Sequence, residues 1–378
     1  MRLTSISTLA AGLLAAITSA RVVMEDIHID SEHGCTLVGT IRGQIKGVYI
    51  VVLQPRGCQN FTHISHVKTD DWSSFATPEK RSTGQTQRPL EPCFDPVDAT
   101  NCLQQLLDQN ATAAVHVPNH NDMPWIVRPL WIRRANLVVT FAPGVVILAK
   151  AGSFLGTNDV LLSLSGAANV SLLGLSGYDP SRPELSAYAA MPTLRMRKAS
   201  YTKPPYALGE WRHGIWIGSR FGNEGTSKPP FALPDRQTSN CVLSGLRVET
   251  SGGDGFYIQN STDVTVTSCD SNANYRQGLS VIDVSGLTVA DSSFRNTDGT
   301  GPSSGIDFEP MWHLVDRLSR MTFSNIWSVN NSGIGFEVEL SNFVGSKAPL
   351  NLAVTGLHAL NNTSGGLMIR ADAELRGM

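Results

Sequence analysis

Ser251-Gly-Gly-Asp-Gly-Phe-Tyr-Ile258, Asn274-Tyr-Arg-Gln-Gly-Leu-Ser-Val281 and Ser304-Gly-Ile-Asp-Phe-Glu-Pro310 are three versions of one phrase: a polar turn, a glycine, then apolar, any, apolar. The phrase recurs at Gly214-Ile-Trp-Ile217, Gly335-Phe-Glu-Val338 and Gly366-Leu-Met-Ile369, and its glycines are 41, 23, 27, 30 and 31 residues apart. A second alternating stretch precedes most copies: Val242 to Val248, Val264 to Thr267, Leu287 to Ala290, Met321 to Trp327 and Leu352 to Leu357. Period-2 strands that return every 20 to 40 residues across turns of unequal length predict a solenoid. One such coil cannot bury its own apolar face, so coils must stack and equivalent strands pair in parallel. A sandwich or propeller would show more of the tight Asn-Gly and Asp-Gly hairpin turns, which are scarce here.

The 378 residues are 41% apolar and 16% charged, with 30 basic residues against 32 acidic. That composition supports a large core and excludes a disordered chain. The charge density, below the roughly 25% of ordinary domains, argues against nucleic-acid binding through phosphates. Residues 1–20, MRLTSISTLAAGLLAAITSA, read as a secretory signal peptide: Arg2, an apolar stretch from Leu9 to Ile17, then Thr18-Ser19-Ala20. Without that segment's single basic residue the mature chain carries 29 − 32 = −3. No later apolar run is long enough for a transmembrane helix, so no membrane insertion is expected.

A secreted chain fits the six cysteines, Cys35, Cys58, Cys93, Cys102, Cys241 and Cys269, whose even number points to disulfides. Cys35 with Cys58 and Cys93 with Cys102 are the plausible local pairs among fifteen possible pairings. Asn-x-Ser/Thr sequons at Asn60, Asn110, Asn169, Asn260, Asn330, Asn361 and Asn362 fit a glycoprotein.

The repeated phrases resemble the right-handed parallel β-helix proteins of the pectin-lyase-like superfamily, which includes pectate lyases, polygalacturonases, alginate epimerases and phage tailspikes. The resemblance covers residues 95 to 370. Within it, Asp98 to Asn110 looks like the helix that closes the first coil, and Val115 to Pro118 and Asn136 to Leu148 look like the opening strands. It implies an all-β fold, a right-handed single-stranded parallel β-helix with an N-terminal capping helix. It also implies a secreted protein acting on polysaccharides or glycans. The expected organisation is signal peptide 1–20, a small β-rich extension and linker 21–92, and the β-helix 93–378. A long loop insertion at 178–236 holds eight basic and three acidic residues between Arg195 and Arg236. A loop of that length suggests a lid or binding wall.

Aligning the coils on the glycine points its two apolar neighbours inward and the residues at Gly+2 and Gly+4 outward. The outward pairs read Trp216 and Gly218, Tyr257 and Gln259, Ser280 and Ile282, Asp307 and Glu309, Glu337 and Glu339, Met368 and Arg370. Four carboxylates thus fill two adjacent coils. Like charges this close push at least one acid toward its protonated form, which suits general acid–base chemistry. Asp307, Glu309, Glu337 and Glu339, with Asp254 of Gly-Gly-Asp-Gly, are therefore the candidate catalytic acids. Trp216, Tyr257, Arg276, His213 and Trp312 are the candidate substrate-binding residues.

Gly-Gly-Asp-Gly is similar to the acid-bearing turn of polygalacturonases, but one acid and the family's Gly-His-Gly and Arg-Ile-Lys are missing. Gly305 to Pro310 is similar to the active-site strand of alginate epimerases without its Pro-His. The leading reading is a glycoside hydrolase with no cofactor. The alternatives are a polysaccharide lyase or C5-epimerase acting on uronates, a non-catalytic glycan-binding or adhesin-type β-helix, a calcium ion holding two coils together, or a solvated acidic edge.

Overall fold

The computed structural model describes strands 22–30, 37–42 and 48–53, and residues 93–109, 113–185, 188–206, 209–218, 237–311, 316–343 and 350–370. From residue 113 onward the chain winds through successive coils, each built from up to three strands, and like strands pair in parallel along the axis.

The first face holds eight strands: Leu130–Ile132, Leu162–Leu164, Ile215–Ile217, Phe256–Ile258, Leu279–Val281, Ile306–Phe308, Ile334–Glu339 and Gly365–Arg370. Six of these are the glycine phrases. The second face is the other alternating stretch, as in Thr238–Ser244 and Ser261–Thr267. The third face is made of short strands that the periodicity did not separate, including Val146–Ala149, Thr193–Arg195, Arg247–Glu249 and Asp270–Asn272. Three long strands, Val284–Arg295, Leu318–Val329 and Leu350–Leu360, run round the corner between the second and third faces and belong to both.

The corners explain the sequence's taste for Asn and Gly. Asn136, Asn169, Asn240, Asp263, Gly286 and Arg320 occupy one corner column, all with φ between +52° and +85°. Asn tolerates this left-handed region because its short amide bonds locally. Here Asn169 donates to Asn136 and Asn240 to Asn169, each at 3.0 Å. Gly286 is required where it stands, since a Cβ would lie 2.4 Å from Asp263 Oδ1, in the path by which Arg320 crosses a coil to that carboxylate. Asn296, Asn330 and Asn361 form a second left-handed column, and the next residue in each coil points inward. There Asn331 Nδ2 donates to Asn362 Oδ1 at 2.8 Å, and the side chains of Asn274, Asn331 and Asn362 each accept a backbone N–H from the coil before.

The interior is a column of apolar side chains. Phe308, Phe323 and Phe336 stand with ring centroids 5.4 to 5.5 Å apart, in the tilted and edge-on contacts aromatic pairs prefer. The helix Thr100–Asp108 buries Cys102, Leu103, Leu106 and Leu107, and Gln104 brackets the backbone of Trp131 through both amide atoms. The N-terminal strand Val22–Asp30 pairs antiparallel with Leu350–Leu360 of the last coil, and Leu37–Arg42 pairs with Val48–Leu53.

Several expectations change. Residues 178–236 are not a plain loop, because they contain Thr193–Arg195 and Ile215–Ile217, strands of the third and first faces. Cys93 and Cys102 form the expected disulfide, with Cα atoms 5.4 Å apart. Cys241 and Cys269 do not follow the even-count argument: both are buried free thiols. The signal peptide, Cys35, Cys58 and Trp312 lie outside the described residues. Among those described, no helix is long and apolar enough to cross a membrane.

Candidate active site

The outward column of the first face is unbroken: Trp131, Ser163, Trp216, Tyr257, Ser280, Asp307, Glu337 and Met368 are successive register partners. Alternation fixes this. Ile306 and Phe308 are fully buried in the core, so Asp307 between them must leave the other side of the sheet, and Phe336 and Val338 do the same for Glu337. The register of the acid block is therefore as the glycine alignment predicted.

Outward does not mean open. Asp307 is 1% exposed, Glu337 7% and Asp254 0%. One rule of contact covers them: the residue just before a glycine reaches over the Gly+2 residue of the next coil. His213 stacks on Tyr257 at 4.4 Å, and Ser280 meets Asp254 at 2.8 Å. Gln277 donates to Asp307 Oδ2 at 2.6 Å, and Ser304 donates to Glu337 Oε2 at 2.5 Å. The carboxylates that reach solvent are those at Gly+4, Glu309 at 25% and Glu339 at 23% side-chain exposure.

Arginines hold both. Arg276 donates through one nitrogen to Glu309 Oε1 and Oε2 at 2.7 and 2.6 Å, and its other nitrogen lies 3.5 Å from Asp254 Oδ2. Arg370 pairs with Glu339 at 3.0 Å. Burial is the largest influence on the covered acids and drives all three upward. Asp254 is pushed up to about 7, with Arg276 and the Ser280 hydrogen bond opposing. Asp307 is driven well above the carboxylate range by burial and then by the charges of Glu309 and Glu337. Glu337 is raised by burial against the Ser304 hydrogen bond.

The aromatic candidates do not line an open groove. Trp216 and Tyr257, 7% and 2% exposed, pack edge to face at 5.0 Å and form an apolar patch with Val160, Ile282 and Met311. His213 is buried beside them. Its Nδ1 accepts the Asp254 backbone N–H at 3.0 Å and lies 3.3 Å from Asp254 Oδ2. Among the described residues of the basic loop, three arginines are engaged within the fold. Arg195 pairs with Glu249, Arg197 donates to the Ala149 carbonyl, and Arg212, fully buried between Tyr201 and Tyr206, donates to the Phe154 carbonyl. Gln277, Ser280 and Ser304 were not assigned roles from sequence; the signal that finds them is their place at Gly−1 or Gly+2. Among the described residues no group of three or more His, Cys, Asp or Glu side chains is placed to hold a metal ion.

A sequence profile of the right handed beta helix region matches residues 235–308, the coils that carry Asp254, Arg276 and Asp307. The chain has the right-handed parallel β-helix fold. Solved structures similar to it include the enzymatically active domain of bacteriophage CBA120 tailspike protein 2, 13% identical, with a TM-score of 0.40 over 64% of this chain and 35% of the tailspike. The A-module of a mannuronan C-5 epimerase from Azotobacter vinelandii is 13% identical, with a TM-score of 0.39 over 64% of this chain and 56% of the module. A family 28 exopolygalacturonase from Yersinia enterocolitica is 13% identical, with a TM-score of 0.35 over 63% of this chain and 52% of the enzyme. No curated protein matches the chain in sequence.

Proposed function

We propose that this chain is a secreted polysaccharide hydrolase whose reaction centre is the carboxylate block of residues 307 to 339. The observation that carries the reading is the pairing of Asp307, a buried acid raised by burial and by the charges of Glu309 and Glu337, with Glu309, the solvent-reaching carboxylate two residues along the same strand. A covered acid beside an accessible carboxylate can divide the work of acid and base. Glu309 meets the glycosidic oxygen and delivers a proton that reaches it through the buried Asp307, and the bond from that oxygen to the anomeric carbon breaks. Glu339, the accessible carboxylate of the next coil, takes a proton from the water that replaces the leaving sugar. Arg276 holds Glu309 by a charge-assisted contact of one guanidinium nitrogen with both carboxylate oxygens.

The charge balance favours a neutral glycan. Five acids, Asp254, Asp307, Glu309, Glu337 and Glu339, face two arginines, and Arg276 is already shared by two of those acids. A lyase or epimerase needs a cation free to neutralise the uronate carboxylate, and neither arginine is free for it.

The test is a screen of purified protein against neutral, uronate-containing and sulfated polysaccharides, read by new reducing ends and by ultraviolet absorbance. Reducing ends from a neutral polymer without absorbance, lost in Glu309→Gln, are expected. Absorbance from an unsaturated product would replace the reading with a lyase. Binding without product in any arm would replace it with a non-catalytic glycan-binding β-helix.

A further inference from the structure

Asp254 and Asp307 do not touch, yet two neutral side chains join them. Asp254 Oδ2 is 2.8 Å from Ser280 Oγ, Ser280 Oγ is in hydrogen-bond contact with Gln277 Oε1, and Gln277 Nε2 is 2.6 Å from Asp307 Oδ2. All four side chains are buried, with exposures of 0, 0, 0 and 1%. In such a setting each short oxygen–oxygen contact must contain a hydrogen.

Counting those hydrogens decides the protonation. Gln277 presents its NH2 to Asp307, so its Oε1 can only accept, and Ser280 must give it the single hydroxyl hydrogen. Ser280 Oγ then has no hydrogen left for Asp254, so the hydrogen in that contact comes from Asp254 itself. Turning the amide over reverses every bond: Asp307 would donate to Oε1, Nε2 to Ser280, and Ser280 to Asp254. Either direction requires one proton on one of the two acids, and the orientation observed puts it on Asp254.

We propose that Asp254, Ser280, Gln277 and Asp307 form a hydrogen-bond relay that makes the two aspartates share one proton. Ser280 and Gln277 are positioning residues, acting on the reaction centre through Asp307. Asp254 is fully buried, so it serves as a proton reservoir and does not contact substrate. Its other neighbours leave this role open to it. His213 Nδ1 lies 3.3 Å from Oδ2, but its lone pair already receives the Asp254 N–H at 3.0 Å. Arg276 stands 3.5 Å away, engaged mainly with Glu309, and the charge of Glu309 favours the neutral acid. Burial, pushing Asp254 up to about 7, agrees with the count.

The relay rests on the acid block being the reaction centre only for its purpose; its test needs no substrate. Carboxyl-carbon NMR of aspartate-labelled protein is followed from pH 4 to 9, with Asp254→Asn and Asp307→Asn used to assign the two signals. In the wild type both signals are expected to move through one common transition near neutrality, because interacting acids titrate as a pair. In Ser280→Ala, and independently in Gln277→Met, the transition of one acid should lose at least half its amplitude at the other carbon while the fold is kept. An Asp254 already ionised at pH 5, or an undiminished common transition in both variants, would overturn the relay. Failure to find a hydrolysed polymer would leave these NMR outcomes intact, so the two proposals fail separately.

Discussion

Asp307 and Glu337 are register partners on consecutive coils, and each is covered by the residue that precedes the glycine of the coil before, Gln277 over Asp307 and Ser304 over Glu337. A ladder step is about 4.8 Å, so the two acids are near neighbours that cannot both ionise cheaply. The cover makes this worse, since it replaces water with a single hydrogen bond apiece. What remains in contact with solvent is the next outward column, Glu309 and Glu339, each tethered by an arginine.

This division predicts unequal mutants. Glu309→Gln should reduce turnover of the substrate polymer on the order of 10²-fold to 10⁴-fold, the range for a removed general acid or base. Asp307→Asn should cost activity too, but it should raise stability near neutral pH, because an amide in the same place needs no buried charge. Rate measurements on the polymer found in the screen, paired with thermal melts of both variants, check this; an Asp307→Asn protein that melts lower than the wild type at pH 7 would contradict it.

Stability should fall as pH rises through the window between about 4 and about 7. Asp254 is pushed from 3.8 to about 7, and Asp307 and Glu337 are raised as well. Folded protein therefore binds more protons than unfolded protein across that window, and stability is lost with rising pH until the folded groups have ionised. At about 1.4 kcal/mol per unit, Asp254 alone accounts for at most about 4 kcal/mol. Below the window the sign reverses, because Asp98 and Asp270 are held below their ordinary range by Lys150 and Thr100 and by Arg295 and Arg247 against the cost of burial. Denaturant midpoints at pH 4.5, 6 and 7.5 measure the slope, and Asp254→Asn should flatten it.

The acid block was legible in the sequence because strand alternation is rigid. Once Gly305 and Gly335 are superposed, Ile306 and Phe308 can only go in and Asp307 only out. What covers that face was not legible from alternation. Gln277, Ser280 and Ser304 are small or neutral residues at turn edges, and their reach is set by how one coil overhangs the next, a relation between residues about 30 apart in the chain. For the same reason Tyr257 and Trp216 looked like open platforms: the alignment gave their direction, while His213 and Met311 lie on top of them. The third strand of each coil escaped because three residues such as Arg247–Glu249 are too short to show a period.

The sequons sort by burial. Asn330 and Asn361 are exposed at a left-handed corner, whereas Asn260 and Asn362 are 5% and 4% exposed. The amide nitrogen of Asn362 donates to the Ser328 carbonyl at 2.9 Å, inside the wall. Expressed through a eukaryotic secretory route, the protein should carry glycans at Asn330 and Asn361 and none at Asn260 or Asn362. Peptide mapping by mass spectrometry reads the occupancy directly, and a glycan on Asn362 in folded protein would contradict the inward ladder.

That ladder sets up the sharpest contrast between adjacent residues. Asn331 is 1% exposed and spends its whole amide on the wall. Its Oδ1 accepts from the Thr297 N–H at 3.0 Å and the Thr297 hydroxyl at 2.7 Å, and its Nδ2 donates to the Phe294 carbonyl at 3.1 Å and to Asn362 at 2.8 Å. Asn331→Ala leaves at least two of those groups buried without partners, at about 1–3 kcal/mol each. Asn330, one residue earlier, is exposed with φ +56°, so Asn330→Gly keeps the backbone conformation at no steric cost and should stay within about 0.5 kcal/mol of the wild type. Denaturation of the two variants side by side tests the assignment. Equal losses would mean that the inward ladder adds nothing beyond the corner itself; a loss confined to Asn331→Ala would show that stacked amides, and not only the apolar column, hold consecutive coils in the register on which the acid block depends.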